Sequence, residues 1–174
     1  MRLKKGERKN TRKMLKEKNR KRIKYSIKTF CFLVFLVSCT QIPEYKKVHT
    51  FKNKIWEQGK EIKYTFNIED TTVKYDITLF LRTTTNYKYN NLWGFLTTET
   101  PEGKKTKEPI EIKVARPDGS WVGKKTGSIV ETSLYFKGRV FPQKGEYKIT
   151  LEQATTQKEI AQVLDLGMFV RKKS

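Results

Sequence analysis

The sequence has 174 residues, with 38 Lys+Arg against 18 Asp+Glu, a formal net charge of +20, two cysteines and one histidine. That length fits one domain; the Cys and His content cannot supply the roughly four nitrogen or sulfur ligands of a zinc cage, nor the cysteine density of a disulfide scaffold. Mean hydropathy is low at −0.71, yet twenty-one Phe, Trp and Tyr residues are too many for a chain that stays disordered.

The first thirty residues carry fourteen Lys+Arg and two Glu, a net +12, against +8 for all the rest. This basic stretch runs into Phe30-Cys31-Phe32-Leu33-Val34-Phe35-Leu36-Val37, an apolar block of eight residues. Spanning a bilayer takes roughly 17–25 apolar residues. A basic region before a shorter apolar core is instead the layout of a secretory signal peptide. The block ends in Leu36-Val37-Ser38-Cys39, which resembles a bacterial lipobox, with a small residue beside the scissile bond and a cysteine whose thiol takes diacylglycerol. Cys39 is therefore the expected lipidation site and first residue of the mature chain. Met14 offers an internal start that leaves a shorter leader. Residues 1–38 are read as leader and lipoprotein signal peptide, 39–55 as lipidated N-terminus and tether, and 56–174 as the folded domain. Most of the charge thus belongs to the leader, and nucleic acid is not an expected partner.

Thr40–Lys54 shows no hydrophobic period and includes Pro43 and Lys46-Lys47, as a tether would. The single histidine, His49, falls in it and is expected to be solvated. From Trp56 onward the period is two, the mark of half-buried strands. Ile62, Tyr64, Phe66 and Ile68 alternate with polar residues, and Tyr75-Ile77-Leu79-Leu81 repeats the pattern after the turn Glu69-Asp70-Thr71-Thr72. Asn90–Thr98 is apolar on both faces. Ile110–Val114 follows the turn Pro101-Glu102-Gly103, and Arg116-Pro117-Asp118-Gly119 turns the chain again. Ile129–Phe136 is expected to be extended, with Val140-Phe141 as a short continuation. Tyr147-Ile149-Leu151 and Leu164-Leu166-Met168-Val170 complete the set. Ala154–Val163 is the one place left for a helical turn. About seven to eight short strands without crossover helices predict an all-β domain, an antiparallel β-sandwich of Ig-like or jelly-roll-like type.

The residues for catalysis are largely missing. His49 lies outside the strand region, so neither a Ser-His-Asp nor a Cys-His relay has its base. Gly119–Lys125 lacks the spacing and context of a phosphate loop. Glu69 and Asp70, and Glu99 and Glu102, sit at turns where carboxylates are ordinarily solvated. Neither an enzyme nor a cofactor is expected, and no metal site. The aromatic residues are the better lead: Tyr87, Tyr89, Trp93 and Trp121 fall at strand ends or in loops, where a ring could stack on a sugar or a partner protein. Trp93, inside a strand, reads as core; for Trp121 burial and exposure are equally expected. The alternative reading this supports is a lipid-anchored carbohydrate-binding module.

Several short motifs stand in order along the chain: Tyr87-Lys88-Tyr89-Asn90-Asn91-Leu92, Arg116-Pro117-Asp118-Gly119-Ser120-Trp121-Val122-Gly123 and Val140-Phe141-Pro142-Gln143-Lys144-Gly145-Glu146-Tyr147. Leu151-Glu152-Gln153-Ala154 and Asp165-Leu166-Gly167-Met168 close the series. Together with the lipobox they resemble the gliding-motility lipoprotein GldH family of the Bacteroidetes. The resemblance implies a cell-envelope lipoprotein needed for gliding and linked to the secretion machinery that exports surface adhesins, with no established catalytic activity. It implies a membrane held through acyl chains on Cys39, with other envelope proteins as partners. Thr40 follows the cysteine and only Glu44 is acidic within Gln41–Lys47, so an outer-membrane lipoprotein facing the periplasm is expected.

Overall fold

The computed structural model describes residues 43–173; the leader, the lipobox and Cys39 lie outside the described residues. In chain order the strands are β1 (Tyr45–Thr50), β2 (Ile55–Glu57), β3 (Ile62–Ile68), β4 (Tyr75–Thr84), β5 (Asn91–Glu99) and β6 (Lys105–Lys113). They continue with β7 (Lys124–Thr126), β8 (Ile129–Arg139), β9 (Gly145–Gln153), β10 (Glu159–Ala161) and β11 (Val163–Lys172). One sheet has the order β1-β11-β4-β8-β7 and the other β3-β9-β5-β6, while β10 and β2 form a small separate pair. All pairings are antiparallel. The domain is the expected all-β sandwich.

Alternation determines which side chains meet between the sheets. In β3 every second residue is buried, from Ile62 through Tyr64 and Phe66 to Ile68. Tyr147, Ile149 and Leu151 of β9 do the same beside them, and Leu79, Leu81, Leu166 and Met168 of the other sheet belong to the same core. Tyr64 joins the layers directly: it is 0% exposed and its hydroxyl donates to the Leu166 carbonyl of β11 at 2.7 Å. Burial, and secondarily the nearby Tyr45, holds this phenol well above the usual tyrosine range.

Four local expectations are corrected. The stretch read as a tether supplies β1, which pairs with β11 from Tyr45↔Val170 to Thr50↔Asp165. β1 is an edge strand, and lysines on an edge discourage further pairing; Lys46 and Lys47 therefore hide the strand's period without weakening its ladder. His49 is accordingly half-buried, its ring edge-on to Phe51 at 4.9 Å. Burial, followed by Lys60 and Lys47, lowers its pKa, against an opposing effect of Asp165. Val140-Phe141 is not a strand; Val140 is exposed, whereas Phe141 is buried against Phe66, Tyr75 and Tyr147 with centroids 4.7–5.7 Å away. Finally, Ala154–Val163 forms no helix but turns and the three-residue β10.

The loop before β7 depends on close backbone approach. A methyl group at Gly123 would overlap the carbonyl oxygen of Glu131 in β8, so this glycine is required for space. Gly123→Ala is expected to destabilise the domain by about 1–3 kcal/mol, as overpacking does. Thermal unfolding followed by circular dichroism checks this, and an unchanged midpoint would show that the loop does not lie against β8.

Candidate ligand-binding cleft

Three of the four aromatic side chains singled out in the sequence line one cleft of about 160 Å³. Tyr87 and Tyr89 reach it from the connection between β4 and β5, and Trp93 from β5 itself. Their rings differ in role. Tyr87 is buried and donates its hydroxyl to the Asn91 carbonyl at 3.0 Å; burial, then the adjacent Tyr89, raises its pKa. Tyr89 packs edge-on against it, with centroids 5.5 Å apart, and is 40% exposed.

Trp93 corrects the expectation of core burial: it is 44% exposed. The reason is register. In β5 Leu92, Gly94 and Leu96 are buried and Trp93 and Phe95 alternate to the outside, where the Lys107 ammonium lies 4.6 Å from the Phe95 ring centre. The strand's apolar outer face had obscured which set points inward. Trp121 is not part of the cleft lining. It sits in a tight hairpin, bridged to Ala115 and partly packed on the core, with its carbonyl accepting from Arg116 Nη1 at 2.9 Å.

The opposite wall was not anticipated. Thr155, Thr156 and Gln157 supply it, with Ile160 and Asn91 completing the lining. The run Gln153-Ala154-Thr155-Thr156-Gln157 reads in sequence as a place for helix, but Gln153 bonds to its own neighbours. Its Oε1 accepts from the Thr155 amide at 3.3 Å and from the Thr155 hydroxyl, and its Nε2 donates to the Gln157 carbonyl at 3.0 Å. Such side-chain bonds compete with helical ones and fix the loop. The Ala154 amide ties it to Trp93 through the Trp93 carbonyl at 2.9 Å. The Tyr89 hydroxyl closes the cleft by donating to Gln157 Oε1 at 2.8 Å, and Asn91 Nδ2 donates to Glu111 Oε1 at 2.7 Å.

Two of the carboxylates considered in the sequence, Asp70 and Glu99, are committed elsewhere. Asp70 accepts from the Thr72 hydroxyl at 2.6 Å and the Thr72 amide at 2.9 Å, bonds that lower its pKa. Glu99 lies 3.4 Å from Lys105 and 3.9 Å from Lys148. Among the described residues no three His, Cys, Asp or Glu side chains converge as a metal site requires.

The family model for the GldH lipoprotein matches residues 44–170, which is the sandwich but for the last two residues of β11. The chain belongs to the GldH lipoprotein family. It is similar to "Gliding motility lipoprotein GldH" of Flavobacterium johnsoniae, 33% identical over 136 residues, covering 76% of this chain and 82% of that one. It is also similar to "Gliding motility lipoprotein GldH homolog" of Christiangramia forsetii, 26% identical over 160 residues, covering 85% and 96%. Among solved structures it is similar to part of a family GH115 4-O-methyl-alpha-glucuronidase, at 8% identity and a TM-score of 0.44, covering 79% of this chain and 18% of that one. A likeness that low carries no functional argument. The GldH assignment thus rests on sequence and agrees with the motifs, of which Tyr87–Leu92 contributes to the cleft.

Proposed function

We propose that the protein is an outer-membrane lipoprotein, anchored by acyl chains on Cys39, that acts as a non-catalytic structural component of a gliding-motility and associated secretion apparatus. The observation that carries this reading is membership of the GldH lipoprotein family over residues 44–170, together with relatives named for gliding motility. The basic leader and Leu36-Val37-Ser38-Cys39 supply the export and lipidation signals.

The position of β1 adds a geometric consequence. Because β1 begins at Tyr45, five residues separate Cys39 from the sheet. Even fully extended, six steps of roughly 3.3–3.6 Å reach only about 20 Å. That reach sets an upper limit on how far the anchored domain could stand from the membrane, as suits an assembly subunit better than a long-armed one. One acyl chain binds a bilayer marginally, whereas two or more hold it stably.

Cys39→Ala is the test. The variant is expected to incorporate no labelled palmitate, to keep its leader and to leave the outer-membrane fraction, and it should fail to restore motility to a strain lacking the gene. Processing and outer-membrane attachment equal to the wild type would refute the anchor. Normal motility without an anchored protein would refute the structural role at the membrane.

A further inference from the structure

We propose that the cleft between Trp93 and the Thr155–Gln157 loop binds a single neutral pyranose ring, alone or within an oligosaccharide. The inference goes beyond an assembly role and does not depend on it.

A pyranose offers two apolar C–H faces and an equatorial rim of hydroxyls, so a site for it needs an exposed aromatic plane together with neutral groups that both donate and accept hydrogen bonds. This cleft has both. Trp93 and Tyr89 are 44% and 40% exposed at its mouth. Tyr89 does not swing freely, because its hydroxyl is held by Gln157 at 2.8 Å and its ring by Tyr87.

The polar atoms are sorted by their existing bonds. Gln157 spends Oε1 on Tyr89 and Asn91 spends Nδ2 on Glu111. Among the described residues that leaves Gln157 Nε2 as a donor and Asn91 Oδ1 as an acceptor, with the Thr156 hydroxyl able to do either. One donor and one acceptor suit hydroxyls, which give and take in turn.

What is absent from the lining narrows the class further. Among the described residues that line the cleft there is no Lys, Arg, Asp, Glu or His. A phosphate or an acidic sugar would lack a counter-charge, and a nucleic acid would lack the basic groove that accompanies stacking aromatics. The volume, about 160 Å³, is below the roughly 300–1,000 Å³ of sites that enclose drug-sized ligands. One ring fits that measure.

The experiment uses the full lipidated protein in mild detergent on a glycan array of neutral hexoses, pentoses and N-acetylhexosamines, with sialylated and sulfated glycans as the charged arm. Binding to one or more neutral glycans is expected. Trp93→Ala and Tyr89→Ala should each weaken it at least about tenfold, while Trp121→Ala, outside the lining, should leave it unchanged. In the wild type, adding the bound sugar should shift the indole NMR resonance of Trp93 and leave that of buried Trp56 in place, a readout that needs no variant to fold. An array blank for neutral glycans overturns the proposal, as does binding that is confined to charged glycans. So does binding that survives both cleft substitutions, or that moves Trp121 instead of Trp93.

Discussion

Tyr64→Ala is expected to lower the unfolding free energy by about 3–5 kcal/mol, the range for truncating a large buried aromatic side chain. Tyr64 has no exposed surface and spans the sandwich. Its ring stands on β3, paired through Ile149 of β9, and its hydroxyl reaches Leu166 of β11. Truncation therefore opens a cavity and breaks a bond between sheets that share no backbone ladder. Tyr64→Phe separates the two contributions, because it keeps the ring and removes the hydroxyl; about 0.5–1.5 kcal/mol is expected. Urea unfolding of the three proteins measures both. If Tyr64→Ala cost no more than Tyr64→Phe, the ring would not be filling the core as described.

Arg82→Met is expected to cost about 2–3 kcal/mol, somewhat below the roughly 3–5 kcal/mol of a fully buried pair. The discount follows from geometry: the Arg82 side chain is 39% exposed and that of Asp165 only 6%. Asp165 Oδ2 accepts from Arg82 Nε at 2.9 Å and from Nη2 at 2.6 Å, and Oδ1 accepts from the Thr50 hydroxyl at 2.6 Å. This carboxylate thereby links β4, β11 and β1. Removing the guanidinium leaves it buried with one neutral partner, and a buried charge without a counter-charge is costly. The double variant Arg82→Met with Asp165→Leu should recover most of the loss, since apolar replacement of both partners is often neutral. A double-mutant cycle in urea decides: additive single costs with no recovery would mean that the pair contributes nothing as a pair.

Asp165 also shows why some of the structure was hidden in the sequence. Within Leu164–Val170 it reads as one polar position of an alternating strand, and nothing local marks Arg82 as its partner, eighty-three positions earlier. β1 was hidden for a related reason. Its ladder bonds are backbone bonds, supplied by β11 from the far end of the domain, and its side chains include the lysines that an edge strand tolerates. The cleft was half visible. Tyr87, Tyr89 and Trp93 were legible as aromatics at strand ends, whereas Thr155, Thr156 and Gln157 were not, because their wall exists only once Gln153 has bonded the loop to itself.

By itself the sequence determined what depends on neighbours along the chain. Alternation placed β3, β4, β9 and β11 and, with no crossover helices, the all-β class; short motifs in order identified the family. The tertiary structure alone decided what depends on residues far apart in sequence. It showed that Trp93 faces outward and Phe141 inward, that β1 belongs to the sheet, and that three of the four candidate aromatics share a cleft while Trp121 lies elsewhere. The physical reason is the same in each case. A period of two says that successive side chains take opposite faces, but which face is buried depends on the strand or loop that arrives to cover it.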